Sequence, residues 1–389
     1  MDYLRDRASN IQPIEEFNIL AKKKNLRIKL GIDPTVPDVT LGWYAILRML
    51  RKFQDYGHTA VLILGDFTAQ VGDPSGKSST RNTIESESVN ENSKKVLKQV
   101  KKILNKKNLE IVSNNDWLGK LSISDMTKLA SSTTLAQMLE RDDFSKRYSS
   151  NSPISLIEFF YPLFQGYDSV SVKSDIEIGG TDQLWNLMIG REIQKYYGLS
   201  PQVAMTFPLL IGTDGKKKMS QSLNNYISIT EPANDIYGKL MSLPDEAMWD
   251  YYKLLTDTPL KQIEEFKNEV GRNNINPFDL KKDLGLLIIE ELFDKETAEN
   301  ASISFSEQTI NKELPDDLPT IRLDGTDKVH IPKLLVDNNI VKSSSEARRL
   351  IASGSVKINS NIVEELDLEP SVIKNTVLQV GKRRNYRII

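Results

Sequence analysis

Apolar residues in this chain fall into short unbroken runs separated by amphipathic stretches. Arg27–Ile32 (RIKLGI) and Thr59–Leu64 (TAVLIL) read as buried strands. Between them, residues 44–56 carry apolar side chains at helical spacing, with Gly57 placed to close the helix. Strand, helix, strand with glycine-rich exits is a βαβ unit and predicts a parallel sheet, whose ligands bind at the carboxyl ends of the strands. The pattern resumes at residues 175–178, a short strand running into Gly179-Gly180-Thr181-Asp182-Gln183, followed by a helix over 184–197 that Gly198 ends. Residues 119–160, between these halves, read as a mainly helical insertion.

The lysine-rich amphipathic stretch 91–107 reads as a helix with a solvated basic face rather than an RNA contact. After Tyr226 the pattern turns to amphipathic helices, among them 261–270 and 279–294, with no clear strands. Residues 312–326, rich in Pro, Asp and Gly, read as a linker. The last segment holds a helix over 344–353 and then short alternating strands. The predicted architecture is α/β: a Rossmann-like domain over 1–225 with its insertion, a helical domain over 226–325 and a small α+β domain over 326–389.

A chain of 389 residues exceeds one hydrophobic core, in line with two or three domains. The net charge of -2, from 51 Lys+Arg against 53 Asp+Glu, gives no overall bias toward polyanions, so any nucleic-acid site must be a local patch. There is no cysteine, which excludes disulfides and thiol nucleophiles, and two scattered histidines, His58 and His330, make a structural metal site implausible. The charged first residues lack an apolar signal core, and no apolar stretch is long enough to span a bilayer, so a cytoplasmic location is expected.

Two segments carry candidate phosphate chemistry. The turn from Gly31 through Asp33 to Thr40-Leu41-Gly42-Trp43 aims backbone N–H groups and a helix dipole at the space near Gly42. Downstream, Lys216-Lys217-Lys218-Met219-Ser220-Gln221-Ser222 reads as a mobile phosphate-binding loop. Taken alone, the first is an ordinary strand-to-helix turn and the second a solvated lysine turn.

Their order along the chain, with Gly179–Gln183 between them, resembles the class I aminoacyl-tRNA synthetases. The runs Lys29–Thr35, Gly65-Asp66-Phe67-Thr68, Gly72-Asp73-Pro74-Ser75-Gly76, Leu135–Arg141 and Tyr161 through Gln165 to Asp168 extend the resemblance to bacterial tyrosyl-tRNA synthetases from about Ile28 to Ile389. The resemblance implies activation of tyrosine by magnesium-bound ATP, transfer to tRNA and no structural metal. It assigns Asp73, Tyr161 and Gln165 to the substrate ammonium, Asp168 to the phenol hydroxyl and Gln183 to the carboxylate. Thr68 and Asn114 match positions behind them. Tyr161, Gln165 and Asp168 are spaced so that one helical face can present all three.

On the nucleotide side it implies roles for Gly31, Asp33, Gly42, Gly180, Asp182, Lys217 and Ser220. Thr40 and Trp43 stand where the family carries its two signature histidines, and Lys218 and Gln221 where it carries its two signature lysines. Ala69, Gln70, Leu184 and Trp185 also depart from the family pattern, as expected pocket walls. The carboxyl-terminal segment resembles an S4-type RNA-binding module, which implies phosphate contacts for Arg348, Arg349, Lys382, Arg383 and Arg384. Met138, Leu139, Phe144, Tyr148, Ile154 and Phe160 are expected at a homodimer surface.

The leading expectation is a divergent tyrosine–tRNA ligase homologue that binds tyrosine or a close analogue and tRNA, with ATP-dependent adenylation impaired or altered. The alternatives are a relative repurposed for amino-acid tailoring or ligation in a biosynthetic pathway, and a catalytically silent tyrosine- or tRNA-binding regulator.

Overall fold

The computed structural model describes residues 1–75, 85–313, 318–323, 328–359, 361–363, 365–374, 376–381 and 384–389. Chain contacts divide it into two compact units, Met1–Glu299 and Asn300–Ile389.

The first unit is built on a six-stranded sheet of β1 (Asn10–Gln12), β2 (Arg27–Ile32), β3 (Thr59–Leu64), β4 (Leu109–Ser113), β5 (Ile176–Gly180) and β6 (Val203–Phe207), in the order β1-β6-β5-β2-β3-β4. All neighbours are parallel except β1, which runs antiparallel to β6. The chain winds outward from β2 through β3 to β4, then returns to place β5 and β6 on the other side of β2. Strand order therefore reverses between β2 and β5, and their carboxyl ends flank the crevice where such sheets bind ligands. The central strands read as continuous apolar runs because both faces are covered: Ala60 through Leu64, Ile176, Ile178 and all of β6 are buried.

Helix α1 (Leu41–Asp55) starts three residues before the apolar spacing predicts, because Thr40 caps it: its Oγ1 accepts from the Trp43 N–H. Gly57, at φ +87°, lets the chain leave that helix for β3. Helix α2 (Ser86–Ile103) spans the lysine-rich stretch, with Val89, Val96 and Val100 buried on one face. The insertion contains helices Ile123–Ala130, Leu135–Met138 and Asp142–Ser149. Helix α3 (Leu156–Val172) and helix α4 (Leu184–Tyr196) then pack together.

The helices from Ala233 to Leu292 belong to the same unit as the sheet. In α5 (Pro277–Leu292), Glu291 accepts from Tyr44 Oη at 2.9 Å and from the nearly buried guanidinium of Arg48 at 2.7 Å. His58 has a structural role, its Nδ1 accepting from the Leu26 N–H, and burial lowers its pKa. Among the described residues, no helix is long and apolar enough to cross a membrane.

The second unit holds a five-stranded sheet ordered β10 (Asn361–Ile362), β9 (Val356–Ile358), β12 (Val377–Val380), β13 (Arg384–Ile388) and β7 (Thr320–Ile321), plus a β8 (Val329–His330)–β11 (Asp367–Leu368) ladder. Part of the expected linker is thus strand: β7 pairs in parallel with β13, and Ile321 is buried in the core of this unit. Two residues are too short a run to show against Pro and Asp neighbours. Helices Ile331–Asp337 and α6 (Ser344–Ala352) cover the core, with Leu335, Ala347 and Ile351 buried.

Candidate active site

A cavity of about 600 Å³ opens at the carboxyl ends of β2, β3 and β5. Asp33, just after β2, accepts from Thr68 Oγ1 at 2.7 Å and from the Tyr161 hydroxyl at 2.9 Å. Gly65 permits this approach, since a Cβ there would lie 2.0 Å from Asp33 Oδ1. Burial, reinforced by the Asp33 and Asp73 charges, holds the Tyr161 phenol well above its ordinary pKa and keeps it a donor.

Helix α3 presents Tyr161, Gln165 and Asp168 together to the cavity, as their spacing predicts. Asp168 is 4% exposed and accepts from Trp117 Nε1 at 2.8 Å and Asn114 Nδ2 at 3.3 Å. Burial pushes its pKa up to about 7 despite the opposing Lys29 charge and these two donors. Asn114 is fully buried behind the lining, where it also donates to Thr68. Asp73 accepts from Gln183 Nε2 at 2.9 Å and from the Ser75 N–H at 2.8 Å. Ala69, Gln70, Leu184 and Trp185, expected as pocket walls, do not line the cavity. Ala69 is buried on the helix after β3, and Trp185 packs with the cluster around Met138 and Phe164.

Gly31, Thr40, Gly42, Trp43, Gly180, Asp182, Lys218, Ser220 and Gln221 line the other part of the cavity, while Lys217 is exposed outside it. The α1 turn is not the open phosphate cradle that its sequence implies. The Leu41 N–H donates to the Ile227 carbonyl at 2.8 Å, Gly42 to Met219 Sδ at 3.3 Å, Trp43 to Thr40 Oγ1 at 3.4 Å and Tyr44 to the Thr40 carbonyl at 2.8 Å. The first three are amides that a helix start leaves without i→i−4 partners, and the fold supplies one to each; the Tyr44 bond is the first of the helix itself. The 216–222 loop closes the arrangement. Gln221 Nε2 donates to the Asp38 carbonyl at 2.6 Å, and Lys218 pairs with Asp182 at 2.6 Å.

Beneath both parts lies a buried network that the motif reading passed over. Lys29 of β2, 0% exposed, donates to the Gln165 carbonyl at 2.7 Å, Ser169 Oγ at 2.7 Å and Glu177 Oε1 at 2.9 Å. Its signal was present as a lysine inside RIKLGI, beyond the Arg27 that opens the strand, and a lone glutamate inside IEIGG, each flanked on both sides by apolar residues of a central strand.

Two other groups of expected residues fare unevenly. Met138 and Phe144 are buried within this chain, Phe144 against Phe159, so neither offers a surface to a partner; Tyr148 is exposed. In the second unit Arg348 and Arg349 are exposed, Arg384 is exposed but donates to the Ile340 carbonyl, and Lys382 and Arg383 lie outside the described residues.

Residues 21–307 match the family model of class I tRNA synthetases (W and Y), and residues 310–388 match the tyrosine–tRNA ligase SYY-like C-terminal domain. The tyrosine–tRNA ligase of Thermotoga maritima is 46% identical over 374 residues, covering 96% of this chain and 93% of its own. That of Francisella tularensis is 48% identical over 370 residues, covering 95% and 93%. Among solved structures, the tyrosyl-tRNA synthetase of Archaeoglobus fulgidus complexed with L-tyrosine shares the fold at a TM-score of 0.61 and 22% identity, over 77% of this chain and 99% of that one. The truncated mitochondrial enzyme of Aspergillus nidulans does so at 0.64 and 20%, over 79% and 93%. With family matches across both units and near-half identity over almost the whole length, this chain belongs to the tyrosyl-tRNA synthetase family of class I tRNA synthetases.

Proposed function

We propose that this protein binds L-tyrosine, activates it with ATP as its magnesium complex and transfers it to tRNA, with an activation step slowed by the residues at positions 40, 43 and 221. The observation that carries the reading is Asp168: a buried carboxylate lining the cavity, gripped by Trp117 and Asn114, with acceptor capacity left for a third donor. A phenol hydroxyl satisfies it, whereas a phenyl ring excludes water and leaves it short. Asp73, Gln165 and Tyr161 supply polarity for the ammonium, and Gln183 for the carboxylate.

On this reading residues 1–225, 226–325 and 326–389 are the catalytic, helical anticodon-side and S4-like parts, and Arg348 and Arg349 meet RNA phosphates. The exposed Leu135, Tyr148, Leu156 and Ile157 around the insertion support a homodimer face there.

Calorimetry tests the pocket. L-tyrosine is expected to bind about 10–100-fold more tightly than phenylalanine, the worth of one hydrogen bond to a charged group; equal affinities would remove Asp168 as the hydroxyl reader. Activity is tested by charging of tRNA and by tyrosine-dependent exchange of pyrophosphate into ATP. Exchange no faster than an enzyme-free blank excludes activation and leaves a binding protein.

The same carboxylate sets a pH dependence. With its pKa near 7, Asp168 is mostly protonated below that pH and ionised above it. A phenol donates best to the ionised form, so tyrosine affinity should rise roughly tenfold between about pH 6 and pH 8. Phenylalanine affinity should fall over the same range, since its ring leaves the ionised carboxylate short of a donor, and a parallel rise for both ligands would assign the titration elsewhere.

A further inference from the structure

The amide of Gln165 can face either way, and its surroundings decide which. Glu177 of β5, 1% exposed, receives hydrogen bonds on both oxygens: Lys29 and Gln165 Nε2 on Oε1, Ser169 and Gln202 on Oε2. An ionised carboxylate only accepts, so Gln165 must turn its NH₂ toward Glu177. The opposite orientation would set two acceptors against each other at about the 3.1 Å now occupied by the hydrogen bond. Lys29 already spends its three N–H groups on the Gln165 carbonyl, Ser169 and Glu177, so it cannot donate to Gln165 Oε1. That oxygen is buried and has no hydrogen-bond partner among the described residues, although Gln165 lines the cavity.

We propose that Glu177, fixed by Lys29, is a positioning residue that sets the Gln165 amide with its oxygen available to the occupant, selecting substrates with a protonated α-amino group. This rests on the tyrosine-binding reading above and adds to it the source of amino-group selectivity. Glu177 acts only through Gln165.

The test compares L-tyrosine with 3-(4-hydroxyphenyl)propanoate, which lacks only the amino group, by calorimetry on the full chain. The wild-type protein should prefer L-tyrosine at least tenfold. Glu177→Gln can donate to Gln165, permits the flipped amide and should cut that preference tenfold or more, with affinity for the deaminated acid within about twofold of wild type. The exchanged pair Gln165→Glu/Glu177→Gln again offers an oxygen to the cavity and should restore the preference. Equal weakening of both ligands in Glu177→Gln, or failure of the exchanged pair to restore the preference, overturns the proposal. Should neither variant fold, the wild-type crystal structure with L-tyrosine decides: an ammonium within 3.2 Å of the Gln165 amide atom turned away from Glu177 supports the proposal, and one beyond 3.5 Å overturns it. A wild-type protein that ignores L-tyrosine sinks the functional reading and this inference with it, whereas one that binds it while Glu177→Gln changes nothing sinks the inference alone.

Discussion

The triple variant Thr40→His/Trp43→His/Gln221→Lys should exchange pyrophosphate into ATP about 10²–10³ times faster than the wild-type protein, with tyrosine affinity unchanged. Adenylation places new negative charge on oxygens of the α-phosphate and the departing pyrophosphate, so its rate depends on donors and cations preset around them. In this chain that part of the cavity is poor in both. Thr40 offers only a short neutral hydroxyl, the first amides of α1 are bonded within the protein, and Gln221 holds the Asp38 carbonyl instead of offering a charge. The nearest lysine on the loop, Lys218, is paired with Asp182. Loss of one preset donor costs about 10²–10³ in rate, and residues that act together do not add, so the restored trio is expected to recover about one such factor rather than three. The Thr40 cap is forfeited at about 1 kcal/mol, which a helix anchored through Arg48 and Tyr44 to α5 can absorb. The measurement is initial exchange rate at saturating tyrosine and ATP. Unchanged exchange, with tyrosine still bound, would mean that the substitutions at positions 40, 43 and 221 are not what limits the step.

What the sequence disclosed follows from how local each feature is. Strands β2 and β3 were legible because period and spacing determine them within a few residues, whereas the α3 triad came from the family resemblance, its spacing adding only that one helical face can present all three. The parallel sheet was legible too, since βαβ order leaves few alternatives. Strands β1 and β7 were not, because two or three residues in a polar setting show no period. The state of the α1 amino terminus was also illegible. Gly42 looks like a phosphate cradle in its own segment, and only the fold brings Met219 and Ile227, some 180 residues away, onto its amides. The dimer expectation failed at Met138 and Phe144 for a related reason: an apolar residue in an insertion serves a partner or its own core equally well, and here Phe159 and the cluster around Phe164 claim them. The walls at Ala69 and Trp185 turned out to pack away from the cavity, so departures there bear on stability more than on selectivity.

Lys29 illustrates the remaining class, a charge whose meaning lies entirely in its partner across the sheet, and its replacement should be the most destabilising single change considered. Lys29→Met keeps the length and removes the ammonium, leaving Glu177 with its charge at 1% exposure and only neutral donors. Breaking a buried pair from one side typically costs about 3–5 kcal/mol, against at most about 1 kcal/mol for an exposed one. An exposed control such as Lys195→Met, whose pair with Glu192 is about half exposed, should therefore fall within the error of a urea titration. The loss should be shared. In Lys29→Met/Glu177→Gln the amide can still accept from Ser169 and no charge is stranded, so the double variant should be clearly more stable than Lys29→Met alone, and the difference measures the stranded carboxylate. If the two destabilise additively, the pair does not carry the coupling that its distances imply. Because Lys29 also holds the Gln165 carbonyl, the folded fraction of Lys29→Met should bind tyrosine more weakly, tying the stability of the central strands to the geometry of the pocket above them.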